Sequence, residues 1–438
     1  MPSTFSNVRN SVSAKAVFIA ILILVLLIPV AMIKDVIYDR TSVSDQARFD
    51  VMRSWGGEQL LAAPMLIVPY TRTLLNGRNE KFERTYHAIV LPDSLDLAVD
   101  MRPDTRYRGI HEVTVYSAII DVGGSFQKPT AAQLPDHAEK ILWDQAFIAV
   151  AIRDARAISK APQISIGDGI FKFTARGTTY DGLPAQIIAR SGNPFVAGEA
   201  RFGMQLHLNG TDSLKFLPLG DTTTVAMSSS WPSPSFVGAY LPETREIDEQ
   251  GFTARWQVSS LGRSMPAVWE EGTLDVNLAS QAEFGVQLFV PIGLYQLSLR
   301  ATKYAILFIG LSFVAYFLFE VIAGLRLHPL QYLLVGFANS LFYLLLLSLA
   351  EHAGFAVAYL ASAVASTALI SAYSASVLGQ RSRALLMALV LGILYCFLYM
   401  TLKAENFAML AGSIGLWVIL ALVMYLTRKV DWYGDADN

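Results

Sequence analysis

A carboxylate set inside a long apolar run is the residue of this sequence whose type and place most directly suggest chemistry. Glu320 lies within LFIGLSFVAYFLFEVIAGL, and a charge in hydrocarbon is costly enough that it is usually paired or put to use. It stands about 9 Å of helix ahead of Arg326; the partners in reach are Arg326, His328 or a tyrosine hydroxyl on another helix. Glu351 and His352 close the next apolar run, and Lys403 and Glu405 flank a later one. Two readings stand. In one, Glu320 lines a proton- or ion-linked site with Glu351 and His352 on its outer side. In the other, Glu320 belongs to a buried structural pair and the remaining charges are ordinary interfacial ones.

Familiar catalytic patterns are missing. The sequence has no H-E-x-x-H, no G-x-x-x-x-G-K-[ST], no G-x-S-x-G and no G-x-G-x-x-G. The histidines at 87, 111, 137, 207, 328 and 352 are too scattered for metal-site spacing. The single cysteine, Cys396, falls in an apolar run, so the polar part of the chain can form neither a disulfide nor a thiolate metal site. No catalytic residue, metal ligand or cofactor-binding motif is expected, and the chain reads as non-enzymatic. A net charge of −2 gives no reason to expect nucleic acid.

The elements that must position these residues follow from how the apolar residues are spread. With 53% hydrophobic and 16% charged residues, the 438-residue chain is too apolar for an ordinary soluble protein. About 20 apolar residues cross a bilayer, and six stretches qualify: Ala16–Ile33, Tyr304–Leu325, Leu330–Leu349, Gly354–Leu378, Ala384–Leu402 and Phe407–Tyr425. The first reads as an uncleaved signal anchor, because it outruns a signal-peptide core and no small-residue cleavage site follows Met32. Arg9 and Lys15, then Arg326, Arg381 with Arg383, and Arg428 with Lys429 fall on one side of the alternation, against Lys403 alone in the opposite short loops. The positive-inside rule puts the first set in the cytoplasm. The expected division is a cytoplasmic N-terminus over 1–15, an anchor helix over 16–33, an external domain over 34–303, a five-helix bundle over 304–426 and a cytoplasmic tail over 427–438. The fourth stretch is rich in Ala and Ser, which favours close helix packing in lipid and a central place in the bundle. Trp432-Tyr433 fit an interfacial anchor.

The external domain carries the period-two pattern of half-buried strands. Phe202 to Leu208, Phe252 to Val258 and Phe284 to Val290 alternate apolar and polar residues, and Ser42–Trp55 reads as a short helix ahead of them. Asn209-Gly210, Asp168-Gly169 and Asp181-Gly182 are expected to be turns, and the glycosylation-type Asn209-Gly210-Thr211 is read as one such turn. The fold class is therefore an α+β membrane protein: one transmembrane helix, a large β-rich, sandwich-like domain and five further helices, six in all. Trp55-Gly56-Gly57 would end the leading helix against the sheet. Trp231-Pro232-Ser233-Pro234 would form a rigid corner, since proline cannot pair inside a sheet. Both blocks can build a binding surface, but a structural junction is the simpler reading.

These blocks also carry a resemblance. Ser54-Trp55-Gly56-Gly57 leading to Pro64–Tyr70, Arg106–Ile110 with Val115–Ser117, Trp231–Gly238 with Gly251–Trp256, then Phe317–Glu320, His328–Gly336, Leu349–His352 and Met424–Tyr433 resemble the CreD family of bacterial inner-membrane, cell-envelope-integrity proteins. The resemblance covers nearly the whole chain. It implies a Gram-negative inner membrane, a periplasmic outer domain, and an envelope-stress role downstream of a two-component system. It carries over no catalytic residues. The sequence departs from the family pattern at Glu58, at Ser233 and around Gly293. The expected partners are the lipid bilayer and an unidentified envelope component or membrane protein. The competing expectation is a small transporter or lipid-handling protein that uses Glu320.

Overall fold

The computed structural model describes residues 12–176, 186–195, 198–263, 265–274, 281–288, 293–322, 327–377, 379–404 and 408–428. The chain forms two compact units, Met1–Ser44 with Pro291–Asn438, and Asp45–Val290.

The first unit is helical. Helix α1 (Val12–Trp55) enters it, and the helix expected over Ser42–Trp55 is its unbroken continuation. Leu22, Leu26, Val30, Ile33 and Ile37 are buried on one stripe, while Ile21, Leu24, Ile28 and Met32 are exposed. Steps of three and four residues keep such a stripe on one face of a helix. Next come α2 (Leu294–Lys303), α3 (Ala305–Ile322), α4 (Pro329–Ala353), α5 (Phe355–Val377), α6 (Arg381–Lys403) and α7 (Ala408–Thr427). Among the described residues, α1, α4, α5 and α6 are long and apolar enough to cross a membrane. The pair α2–α3, bent by 48° at Tyr304, makes a fifth if it counts as one span, and Gly412–Tyr425 within α7 is a shorter apolar helix. Glu405, Phe407, Lys429, Trp432 and Tyr433 lie outside the described residues.

Close packing uses small residues. A Cβ on Gly336 would strike Leu26 and the Phe313 ring, so this glycine is where α1 meets α3 and α4. Gly336→Val is expected to cost about 2 kcal/mol by overpacking, read as a lower unfolding midpoint of the detergent-solubilised chain. Gly415 likewise admits the Phe397 ring between α7 and α6. The Ala- and Ser-rich α5 packs between α4 and α6. It still turns Val357, Leu360, Val364 and Leu369 outward, so it is a middle member of the bundle and not a surrounded one.

Among the described residues the second unit is built of two β-sheets, one of ten strands and one of nine, whose buried side chains belong to one continuous core. The ten-stranded sheet is organised by β1 (Gln59–Leu75). Its run Leu60, Leu61, Met65, Leu66, Ile67 and Val68 is buried on both faces, as a near-continuous apolar strand should be. Its first half pairs with Phe147–Ile152 and, in parallel, with Ser213–Leu217; its second half pairs with β2 (Lys81–Val90). The register slips between Ala62 and Met65, a bulge that accommodates Pro64. The nine-stranded sheet centres on β3 (Ser94–Arg108) and β4 (His111–Gln127), flanked by Glu199–Thr211 and Thr222–Ser229. Glu199–Thr211 and Gly251–Ser259 show the alternating burial that their sequence period anticipates, and Phe284–Leu288 is a strand of the other sheet.

One expected turn is a strand instead. Asn209 and Gly210 continue Glu199–Thr211 and pair with Ser117 and Tyr116. The glycine serves packing: a Cβ on Gly210 would run into the Tyr116 phenol, whose hydroxyl donates to the Ser213 carbonyl at 2.8 Å. The hairpin at Asp168-Gly169 does form, between Gln163–Ile166 and Gly169–Lys172. Asp181-Gly182 lies outside the described residues.

Candidate functional site

Glu320 is 4% exposed, near the end of α3. Its carboxylate pairs with the Lys15 ammonium of α1, accepts from the Tyr332 hydroxyl at 2.9 Å and accepts from the Leu327 amide at 3.1 Å. The tyrosine is the expected kind of partner, whereas Lys15 had figured only as a flanking positive charge. Arg326 lies outside the described residues. His328 turns to another task. It caps α4, with its Nδ1 accepting from the Leu330 amide at 3.2 Å while its own amide donates to Gln331 Oε1 at 2.8 Å. That exchange satisfies amides the helix start leaves open.

Glu351 makes a second cluster at the far end of α4. Arg40 of α1 lies 3.7 Å away and the Tyr295 hydroxyl of α2 donates to it at 3.1 Å. His352 is exposed and its Nδ1 lies 3.1 Å from the Ser348 carbonyl, within its own helix. Tyr332 and Glu351 are separated by about 29 Å of helix, so Glu320 and Glu351 do not share a site. They form two clamps on α1, at Lys15 and at Arg40, about 38 Å apart along a helix and on either side of its apolar stripe.

In the second unit, Trp55, Gly56 and Gly57 make the corner between helix and sheet. The Trp55 indole N–H donates to the Tyr116 carbonyl at 3.2 Å, its ring packs beside Val51, Val113 and Val115, and the Arg106 guanidinium lies over it at 4.4 Å. Gly56 has φ +126°, and a Cβ there would meet Ala157 and the Asn209 carbonyl; the Gly57 carbonyl accepts from the Thr211 amide at 3.2 Å. Arg48, one helix face back, pairs with Asp212. Beside Gly57 stands Asp154. The Arg156 guanidinium, helped by the amides of Arg156 and Gly57, holds its carboxyl below the usual carboxylate range against the opposing effect of burial. Because the folded pKa is the lower one, this stabilisation is complete above the ordinary value of 3.8 and is lost as pH falls through the folded value. Acid should therefore lower the protection factors of the Gly57 and Arg156 amides, measured against their intrinsic exchange rates at each pH, and Asp154→Asn should show the lower protection already at neutral pH. Protection that ignores both changes would remove Asp154 from the corner.

Trp231, Pro232 and Pro234 form the other junction. They carry the chain from Thr222–Ser229 of the nine-stranded sheet to Pro234–Gly238, the edge strand of the ten-stranded one. Pro234 takes the first place of that edge strand, where no ladder amide is needed. Pro232 is exposed, while Trp231 packs against the core and its indole N–H donates to the Ser233 carbonyl at 3.1 Å.

A further concavity lies where the sequence pattern marks none. The outer face of the nine-stranded sheet holds a hollow of about 740 Å³ whose floor includes Asp96, Ala98, Asp121, Gly203, Thr224 and Ala226. It continues through two adjoining hollows of about 540 and 490 Å³, sharing Asp121, Arg255 and Ala226 with the first of these and Asp100, Ser228 and Thr253 onward. Small side chains at paired positions, Ala98 beside Ala226 and Gly123 beside Gly203, leave the trough. Asp121 accepts from the Gln205 amide at 2.8 Å. The signal was present as polar, small residues alternating with core ones, but without strand order nothing shows that they share a face.

Among the described residues no group of three His, Cys, Asp or Glu could hold a metal ion. Several long apolar helices and a large β-rich unit define a membrane protein with an inserted β domain. A family model described as Inner membrane protein CreD matches residues 11–433. The Inner membrane protein CreD of Escherichia coli (strain K12) is 33% identical over 417 residues, covering 94% of this chain and 92% of that one. The chain belongs to the CreD family of inner-membrane proteins.

Proposed function

We propose that this chain is a non-enzymatic envelope-integrity and stress-response protein of a Gram-negative inner membrane, under two-component control. Its β-rich domain lies in the periplasm and binds an envelope component or a protein partner at the membrane face. Six crossings, counting α2–α3 once and α7 as one, leave both termini in the cytoplasm; the bias of Arg381, Arg383 and Arg428 against Lys403 supports this. The spacing of the two clamps on α1, close to the thickness of a bilayer with its headgroups, supports a crossing by α1.

The observation that carries the binding reading is the trough on the nine-stranded sheet. It is long, open and floored by small side chains. Along it Asp96, Asp100, Asp121, Glu246 and Asp248 outnumber Arg102, which pairs with Asp100, and Arg255, which suits an extended, hydrogen-bonding chain that is neutral or cationic. A transport or lipid-handling role for Glu320 has less support, because Lys15, Tyr332 and the Leu327 amide already occupy its carboxylate.

Ala226→Trp, which fills the trough from an exposed floor position, is expected to abolish rescue of a null strain under envelope stress at unchanged membrane level. Glu320→Gln produced at the same level should still rescue. Full rescue by Ala226→Trp sinks the trough reading. For the orientation, Ala98→Cys in a Cys396→Ser background should react with a membrane-impermeant maleimide in cells with a permeabilised outer membrane; labelling only after lysis reverses the topology.

A further inference from the structure

The ribbon made by the end of β1 and the start of β2 stands clear of the sheet it grows from. Lys140-Ile141 borders this part of β1 only at Tyr70 and Thr71, and Val268–Glu270 borders β2 only at Ala88 to Val90. From the pair Arg72 and Arg84 out to the pair Leu75 and Lys81, the two strands have only each other as ladder partners among the described residues. A two-stranded ribbon by itself is marginal in water. This one also turns apolar side chains to solvent, with Leu75 62% and Phe82 44% exposed.

Its charges differ from those of the neighbouring ribbon. Along β3 each arginine has a carboxylate: Arg102 takes Asp100, Arg106 takes Asp104 and Arg108 takes Asp50. Arg72, Arg78, Lys81 and Arg84 make no ion pair among the described residues. Arg72 and Arg84 stand directly opposite each other, where like charges destabilise a ladder. The Arg84 guanidinium lies over the Tyr86 ring at 5.3 Å. Glu270, the carboxylate that feels Arg72 at the ribbon's base, is engaged by His137 at 3.0 Å. Side chains alternate along a strand, and directly paired residues share a face. Arg72, Leu74, Phe82 and Arg84 therefore lie on one face of the ribbon. Glu83 lies on the other with Thr73, whose hydroxyl donates to Glu139 at 2.7 Å. Glu80, in the connecting loop, is held by the Asn76 amide at 2.8 Å.

We propose that the Arg72–Arg84 ribbon binds the anionic surface of the bilayer that the chain spans. The two opposed guanidiniums hold a lipid phosphate between them, a geometry that suits the arginine fork. Leu74 and Phe82, next to them on the same face, enter the boundary between headgroups and acyl chains, and Arg78 and Lys81 add attraction to neighbouring phosphates. Apolar side chains flanking a cationic pair fit an anionic amphiphile better than a free anion. Both ends of the β unit also lead into apolar helices, α1 and α2–α3, so a lipid surface is kept at high local concentration. The ribbon lies outside the trough, and the inference is independent of it.

The test places a fluorophore on the ribbon of the full chain in lipid nanodiscs. Gly77 has open space around it, so Gly77→Cys in a Cys396→Ser background can carry an environment-sensitive dye. In phosphatidylglycerol nanodiscs its emission should shift to the blue and be quenched by lipids spin-labelled near the headgroup. Phosphatidylcholine nanodiscs or high salt should weaken the quenching. Arg72→Gln with Arg84→Gln should lower the contact equilibrium by roughly 5-fold per charge removed. Arg201→Gln, which removes an exposed arginine already paired with Glu199, should leave it unchanged. Solvent-like, unquenched emission in phosphatidylglycerol overturns the proposal. So does quenching that is equal in phosphatidylcholine, or that the double variant keeps in full.

Discussion

Glu320→Ala is expected to destabilise the helical unit by about 3 kcal/mol, because it removes a buried acceptor shared by three donors. The Tyr332 hydroxyl and Leu327 amide would be left unpaired, and the Lys15 end of α1 would lose its counter-charge. Glu320→Gln keeps one acceptor oxygen and should cost less. Lys15→Met combined with Glu320→Gln should cost less than the sum of the two single changes, because either one already breaks the pair. The measurement is thermal unfolding of the detergent-solubilised chain. A midpoint that does not move in Glu320→Ala removes the clamp and revives a working role for the carboxylate.

Trp256→Ala should be costlier still, about 4 kcal/mol by transfer and cavity terms together. Trp256 is fully buried in the nine-stranded sheet and its ring meets Phe236 at 5.6 Å and Phe284 at 5.9 Å, both from the ten-stranded sheet. It ties the two layers together, and its indole N–H donates to the Tyr240 carbonyl at 3.2 Å. Truncation leaves a void between the sheets and a carbonyl without its donor. Limited proteolysis should then cut within Asp45–Val290 at protease levels that spare the native chain. Equal resistance of native and variant chains would mean that the aromatic contact does not hold the layers.

Much of the architecture was legible from pattern alone. Apolar runs long enough to cross a bilayer mark helices because lipid leaves a backbone no other partner. Alternation over Phe202–Leu208 and Phe252–Val258 marks strands because one face must be buried. Asn209-Gly210 misled for a physical reason: glycine serves a turn through its φ and a packed strand through its missing Cβ, and the local sequence does not distinguish these uses. Its partner, the phenol of Tyr116, is remote in sequence.

The sequence by itself determined that Glu320 had to be paired or put to use, favoured junctions over a binding surface at Trp55-Gly56-Gly57 and Trp231-Pro232, and left the polar part of the chain without a thiol and the whole without a familiar catalytic motif. Those conclusions rest on the cost of a charge in hydrocarbon and on backbone sterics, which are local. Only the tertiary structure decided that Lys15, 305 positions away, meets Glu320. It alone separated Glu351 from Glu320 by the length of α4, and it alone brought Asp96, Asp121 and Arg255 from three strands into one trough. Each of these depends on which elements lie side by side, and that is set by packing of whole faces rather than by the residues neighbouring any one of them.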